Sequence, residues 1–166
     1  MPPGVDGEIA ARGAGMMLGY GDPQQNALAH DSEGYFLTGD IGHITPDNAI
    51  LITDRKKDII IRGGENISAK EVEDVLHGHP AVREVAVVAM PHPRLGEGVC
   101  AYIVPAAGDS GLDLAAVAQF ADAAQLAKQK IPQHIELVTE LPRTASGKVR
   151  KDVLRQRIRE TLAGGG

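Results

Sequence analysis

The sequence predicts an α+β protein: a small domain in which helices pack on a sheet of few strands, preceded by a β-rich segment. Three observations predict this class. Short apolar, β-branched runs alternate with amphipathic helical segments from residue 59 onward. The residues before that point carry many glycines and little helical periodicity. At 166 residues and 43% hydrophobic composition, the chain has enough apolar side chains for a core and too many for a disordered tail.

Three strands are predicted in the first part of the chain, at residues 8–12, 35–37 and 48–53, with a turn between the last two at Pro46, Asp47 and Asn48. Such a β-meander with no closing partner is typical of a piece of a larger domain. Unpaired strand edges at 8–12 and 35–37 would favour association with another chain, including a second copy of this one.

From residue 59 the predicted order is strand, helix, strand, strand, helix, strand, helix. The strands are apolar, β-branched runs at residues 59–61, 84–90, 99–104 and 135–138. The first helix begins at a capping box formed by Ser68 and Glu71 and ends at Pro80. The second covers residues 114–126, and the third follows a polar loop at 142–147. A surface turn is predicted at 108–111.

Charge and composition exclude several classes of protein. The net charge of −5 disfavours nucleic-acid binding. The single cysteine, Cys100, excludes a disulfide within the chain and a cysteine-based zinc cage, and an apolar strand around it predicts a buried, inert thiol. No apolar run approaches the ~20 residues that span a bilayer, and the first residues do not have the pattern of a signal peptide. We expect a cytoplasmic protein.

Two clusters in the middle of the chain favour ligand chemistry. Asp40 follows a predicted strand and a Thr38-Gly39 turn, and its carboxylate offers two acceptors for vicinal hydroxyls; an Asx turn is the alternative that the local sequence favours. Residues 54–58 are a charged cluster between two apolar strands. They form either a solvated hairpin turn or a joint between two lobes, with Arg55 as a fixed cation for a phosphate or ribose.

Two further clusters contain glycine. Gly63 and Gly64 follow a buried strand, where paired glycines let a backbone or a thin ligand approach closely; a plain turn into the capped helix is the alternative. Residues 142–151 carry four cations on a glycine-bearing loop, namely Arg143, Lys148, Arg150 and Lys151. The loop is not a phosphate-binding P-loop, because Pro142 and Val149 stand where that motif needs glycine and serine or threonine. A basic solvated loop and a mobile lysine aimed at a phosphoryl group both stay open.

Taken in order, these clusters resemble the carboxyl-terminal portion of the adenylate-forming enzyme superfamily, which holds acyl-CoA synthetases, aryl and fatty acid–CoA ligases, firefly luciferase and nonribosomal peptide adenylation domains. The resemblance covers residues 4–157 and rests on four motifs in register, at 34–40, 54–67, 91–97 and 142–151. Within the family, Arg-Gly-Gly-Glu-Asn-Ile at 62–67 and Pro-His-Pro-Arg-Leu-Gly-Glu at 91–97 look most like acyl-CoA synthetases.

The resemblance implies a role for each matching position. Asp40 would hold the ribose hydroxyls of the adenylate, and Arg55 would help to bind the same nucleotide. Lys57 falls where the family has the hinge between its large and small domains. Lys148 would be the catalytic lysine, a point cation on a mobile loop that bridges the substrate carboxylate and the α-phosphate. The loop of Arg62, Gly63, Gly64 and Glu65 would line the pantetheine channel, and Arg94 would contact coenzyme A.

The implied reaction has two steps: a carboxylic acid and ATP give an acyl-adenylate, and coenzyme A then displaces AMP to form a thioester. Magnesium would neutralise phosphate charge and would be held mainly by the large amino-terminal domain, whose phosphate loop and acyl pocket this sequence does not include. We expect residues 1–54 to be the tail of that large domain and 55–166 to be the mobile lid. The chain alone is then catalytically incompetent. The alternative is a non-catalytic module that pairs with a partner through exposed strands.

Overall fold

The computed structural model describes residues 2–106 and 111–164. Within them the chain forms two compact units, Met1–Lys57 and Asp58–Gly166. The predicted turn at 108–111 falls largely outside the described residues. The functional domain limits of 1–54 and 55–166 stay a prediction.

The first unit is a three-stranded antiparallel sheet with one short helix. Its strands are β1 (Gly7–Ala11), β2 (Phe36–Ile44) and β3 (Ile50–Arg55), in the order β1-β2-β3. Helix α1 (Pro23–Leu28) was not predicted from the sequence. Its start nevertheless carries two local signals: the Asp22 side chain accepts from the Gln24 amide at 2.9 Å, and Pro23 occupies the first helical turn.

The predicted unpaired edge at 35–37 is wrong. Phe36 and Leu37 begin β2 and pair with β1, and β2, nine residues long, lies between the other two strands. The edges of this sheet are β1 and β3. Aliphatic side chains are exposed on β3, where Ile50, Leu51 and Ile52 keep 65%, 49% and 60% of their surface accessible. An edge strand with exposed aliphatic residues is a site where another polypeptide can add.

The second unit has a mixed five-stranded sheet. Its strands are β4 (Ile59–Arg62), β5 (Glu65–Ser68), β6 (Val82–His92), β7 (Gly96–Pro105) and β8 (His134–Leu137). Their order is β5-β4-β7-β6, and β8 pairs with β7 in parallel, while the other pairs are antiparallel. The strand β5 was not predicted, because Glu65, Asn66 and Ser68 do not make an apolar run. The other four strands occur where the sequence predicts them.

Three helices cover this sheet: α2 (Ala69–His77), α3 (Leu114–Ala123) and α4 (Lys151–Gly164). The predicted helix start is confirmed, since the Ser68 hydroxyl accepts from the Glu71 amide at 3.0 Å. The order from β4 onward matches the prediction once β5 is added. The α+β class is therefore confirmed.

The core of the second unit lies on both faces of the β6–β7 hairpin. On one face Val87, Val99, Ala101 and Ile103 pack with residues of α2 and α3. On the other face the alternate residues, among them Cys100 and Tyr102, pack with Leu154 and Ile158 of α4. Cys100 is buried as predicted, and burial raises the pKa of its thiol to about 12, as is typical of an unreactive cysteine. The two long strands are thus fixed by helices on both sides.

Candidate functional site

Asp40 and Arg55 are brought together on neighbouring strands. They are cross-strand partners of β2 and β3, and Arg55 Nε lies 2.5 Å from Asp40 Oδ1. The prediction that Asp40 ends a strand is wrong, because β2 continues to Ile44. Asp40 instead lies within an irregularity in the β1–β2 pairing, where the preceding Gly39 has a φ of +72°.

The local turn is closed by Thr38 rather than by an Asx turn of Asp40. The Thr38 hydroxyl donates to the Ile9 carbonyl at 2.8 Å and accepts from the Asp40 amide at 3.1 Å. The Asp40 carboxylate is one-fifth exposed and Arg55 is half exposed. A carboxylate held on one side by a guanidinium keeps acceptor capacity for hydroxyl groups and gains a neighbouring cation that attracts phosphate.

Lys57 lies in a single 3₁₀ turn, Lys56–Asp58, between β3 and β4. Its neighbours on either side are tied to different units. Lys56 Nζ lies 2.7 Å from Glu8 Oε2 on β1, and Asp58 forms an ion pair with Arg155 on α4. Lys57 itself is exposed. The predicted hinge residue is therefore the point at which the chain leaves one compact unit and enters the next.

The glycines of the third cluster form the turn of the β4–β5 hairpin, so the plain turn into the helix is not what is observed. Arg62 and Glu65 face each other across the hairpin, and Gly63 and Gly64 have φ values of +61° and +88°. Two consecutive positive φ values are typical of a tight two-residue hairpin turn, where glycine has the least strain.

This hairpin turn lies beside the loop that joins β6 and β7. The Gly63 amide donates to the Leu95 carbonyl at 2.9 Å, and Arg62 pairs with Gly96. Arg94 is exposed in that adjoining loop. The five residues predicted to contact coenzyme A thus lie in the β4–β5 hairpin and in the adjacent β6–β7 loop: Arg62, Gly63, Gly64, Glu65 and Arg94.

Sequence reasoning missed Gln133, which holds Arg62. With its amide oxygen toward the guanidinium, Gln133 accepts from Arg62 Nη2 and, at 2.9 Å, from Nε. Gln133 immediately precedes β8, far from Arg62 in the sequence, and no local pattern marks it. Gly98 leaves room for it, because a Cβ at Gly98 would lie 2.6 Å from the Gln133 side chain.

Lys148 is carried by a tight hairpin turn. Arg143 and Val149 pair across it, the Thr144 amide donates to the Lys148 carbonyl at 2.8 Å, and the Gly147 amide donates to the Thr144 carbonyl at 2.9 Å. Gly147 has a φ of +83°. The Lys148 amide donates to the Thr144 hydroxyl at 3.1 Å. The loop around Gly147 is therefore an internally hydrogen-bonded hairpin, and the mobility predicted for it stays a prediction.

The Lys148 side chain is exposed, and within residues 2–106 and 111–164 it makes no ion pair. Ion pairs brace the turn on both sides. Arg143 pairs with Glu84 of β6 at 2.5 Å, and Lys151 pairs with Glu73 of α2 at 2.8 Å. An accessible ammonium group on a fixed backbone is suited to meet an anionic ligand.

Among the described residues, no group of three or more His, Cys, Asp or Glu side chains is arranged to hold a metal ion. Within the same residues, no helix is both long and apolar enough to cross a membrane.

Residues 71–148 match the family described as AMP-binding enzyme C-terminal domain. These residues belong to the family of AMP-binding enzyme C-terminal domains. Lys148 is the last residue of the match. Residues 2–70 precede the match, and they contain Asp40, Arg55 and the glycine hairpin.

Relatives of the whole chain are acid-activating ligases. The chain is 47% identical over 98% of its length to the medium-chain fatty-acid–CoA ligase of Escherichia coli, and 40% identical over 98% to the 2,3-dihydroxybenzoate-AMP ligase of Bacillus subtilis. The crystal structure of ATP-bound MatB from Rhodopseudomonas palustris superposes with a TM-score of 0.89, at 37% identity over 97% of this chain. The chain spans only 29%, 30% and 32% of these three relatives, respectively, and is similar to their carboxyl-terminal portion.

Proposed function

We propose that this chain is the carboxyl-terminal part of an AMP-forming carboxylic acid–CoA ligase, and that it works with a preceding large domain that binds the acid and most of the ATP. One observation carries the proposal. Lys148, at the end of the matched AMP-binding C-terminal domain, presents an exposed ammonium group on a braced hairpin. This is the kind of cation that stabilises negative charge as a carboxylate attacks the α-phosphate.

In the proposed first step, Lys148 bridges the carboxylate of the acid and the α-phosphate of ATP, so that an acyl-adenylate forms and pyrophosphate leaves. Asp40 accepts hydrogen bonds from the ribose hydroxyls, and Arg55 adds positive charge beside the same nucleotide. The ion pair between Asp40 and Arg55 supports a shared ligand, because it places an acceptor and a cation side by side.

In the proposed second step, the thiol of coenzyme A displaces AMP from the adenylate to give the thioester. Arg62, Gly63, Gly64 and Glu65 line the pantetheine path, and Arg94 contacts coenzyme A. The adjacency of the two loops supports a common ligand, and the glycine turn allows close backbone approach. Lys57 is the pivot that lets the lid serve both steps.

Coenzyme A is proposed as the acceptor because the 47% identical relative is a CoA ligase. Residues 62–67 also resemble acyl-CoA synthetases, with fatty-acid metabolism as the implied setting. Magnesium would neutralise the phosphates of ATP, but no step is assigned to it through these residues.

A chimera tests the proposal. The E. coli medium-chain fatty-acid–CoA ligase is produced with this chain in place of its matching carboxyl-terminal portion. Adenylation is measured by pyrophosphate exchange with a medium-chain acid and ATP, and thioester formation is measured from supplied acyl-adenylate and coenzyme A. We expect both activities. Lys148→Ala should lower adenylation by about 100-fold or more, the order of loss when one charge-stabilising group is removed, while sparing thioester formation.

Three results would contradict the proposal: a folded chimera with neither activity, equal loss of both half-reactions in Lys148→Ala, or no loss at all. The isolated chain is measured in the same assay. We expect no exchange from it, because Lys148 without a substrate pocket has nothing to orient. Robust turnover by the isolated chain would refute its predicted incompetence.

The alternative is a non-catalytic module that pairs with a partner chain. The exposed aliphatic residues of β3 favour it, since they leave an apolar edge open to another strand. A module of this kind would leave the chimera inactive and unaffected by Lys148→Ala, so the same experiment separates the two functions.

A further inference from the structure

Arg143 contacts two parts of the second unit through one guanidinium group and a third through its backbone. Its Nη1 donates to the Gly147 carbonyl at 2.7 Å, and its Nη2 lies 2.5 Å from Glu84 Oε2 near the start of β6. Its own backbone pairs with Val149 across the hairpin. The planar fork of arginine suits such a bridge, because its donors lie in a fixed geometry.

The carbonyl that Arg143 binds belongs to the residue directly before Lys148. Gly147 has a φ of +83°, and its carbonyl accepts from the Arg143 guanidinium. Thr144 holds the other side: its hydroxyl accepts from the Lys148 amide, and its amide donates to the Lys148 carbonyl. The backbone at Lys148 is thus held from both directions, and only the four-carbon side chain is left to move.

We propose that Arg143, oriented by Glu84, is a positioning residue that fixes the hairpin so that the Lys148 ammonium reaches the reacting carboxylate and α-phosphate. The inference rests on the proposed function. Both side chains are partly exposed, 46% for Arg143 and 34% for Glu84. An ion pair of that exposure adds little to folding stability. Its removal should therefore move Lys148 and change the free energy of unfolding of the unit only slightly.

The test uses the chimera and three single variants. Arg143→Met removes both contacts. Arg143→Lys keeps the charge but, as a point cation, does not reproduce the fork. Arg150→Met is the matched control, because it removes an equal charge from the same loop. The Arg150 side chain forms an ion pair with Asp152, two residues further along the chain. The Arg150 amide donates to the Pro142 carbonyl, and the variant keeps this backbone bond.

We expect Arg143→Met to lower adenylation by about 10- to 100-fold, since a misplacement of about 1 Å can have an effect of that size. Arg143→Lys should fall between Arg143→Met and the parent, and Arg150→Met should match the parent. Thioester formation from supplied adenylate should stay unchanged in all three. In a Lys148→Ala background, Arg143→Met should have no further effect, because Arg143 acts through Lys148.

A loss of equal size in the Lys148→Ala background overturns the inference, and so does adenylation in Arg143→Met equal to that of Arg150→Met. If Arg143→Met lowers the folded fraction, Glu84→Gln replaces it. This variant keeps the side-chain size, and it should lower adenylation in the same direction by a smaller factor; parent activity would overturn the inference. Failure of the proposed function looks different, because it would be seen in the parent chimera or in Lys148→Ala alone, without any substitution of Arg143.

Discussion

Glu73→Leu should destabilise the second unit by about 3 kcal/mol. Glu73 Oε1 accepts from the Val87 amide at 2.7 Å and lies 2.8 Å from Lys151 Nζ. Val87 is fully buried, on a strand at the edge of its sheet. A buried amide that loses its acceptor destabilises a protein by about 1–3 kcal/mol. The Lys151 ammonium, 17% exposed, also loses its partner. This loss adds less destabilisation than the ~3–5 kcal/mol that follows when a fully buried ion pair is broken.

Glu73→Gln is the matched control, since its amide oxygen can still accept from both groups and only the charge is lost. We expect it to lower the free energy of unfolding by about 1 kcal/mol, the net value of a typical hydrogen bond. Urea unfolding followed by circular dichroism measures the free energy of unfolding of both variants. With a slope of about 2 kcal/mol per molar, Glu73→Leu should lower the midpoint by about 1.5 M. A loss below about 1 kcal/mol for Glu73→Leu, or equal losses for the two variants, would refute this reasoning.

Four further predictions test other features. Gly64→Val, at a φ of +88°, should lower the free energy of unfolding by at least about 1 kcal/mol in urea unfolding, and no change would contradict the turn assignment. Gln133→Leu in the chimera should raise the KM for coenzyme A several-fold and leave pyrophosphate exchange unchanged. Gln133→Glu should have the parent KM, because it keeps the acceptor for Arg62. Equal KM values for the two variants would contradict this role of Gln133. Burial raises the pKa of both Cys100 and Tyr102 to about 12, so the folded state keeps protons that the unfolded state releases. The free energy of unfolding should therefore fall as the pH rises from about 9 to about 12. An unfolding midpoint that stays constant over that range would contradict the burial. Ile52→Lys should reduce self-association of the isolated chain in sedimentation velocity, because it places a charge on the exposed edge strand β3, and an unchanged distribution would exclude that edge.

Features that depend on neighbouring residues could be predicted from the sequence. The cap at Ser68 and Glu71 is one, since both partners lie within one helical turn. The apolar strands β6 and β7 are another, because their β-branched runs are long and both faces are buried. The strand β5 could not be found this way, since it is polar on most positions and forms only by pairing with β4.

Contacts between distant residues could not be predicted. Arg143 and Glu84 are 59 residues apart, and their pairing depends on where the loop lies against β6. The same holds for Gln133 and Arg62. The pairing of Asp40 with Arg55 required the register of β2 and β3, which an irregularity near Gly42 shifts. The candidate residues themselves came from motif resemblance, and the geometry that orients them came only from the fold.

The two ion pairs beside Lys57 limit how the polypeptide can turn there. With Lys56 tied to Glu8 and Asp58 tied to Arg155, a reorientation at this point has very few rotatable backbone bonds available. Each residue has two soft torsions, and most of their combinations are sterically forbidden. If Lys57 is the pivot that we propose, it would favour a few separate orientations over a continuous range.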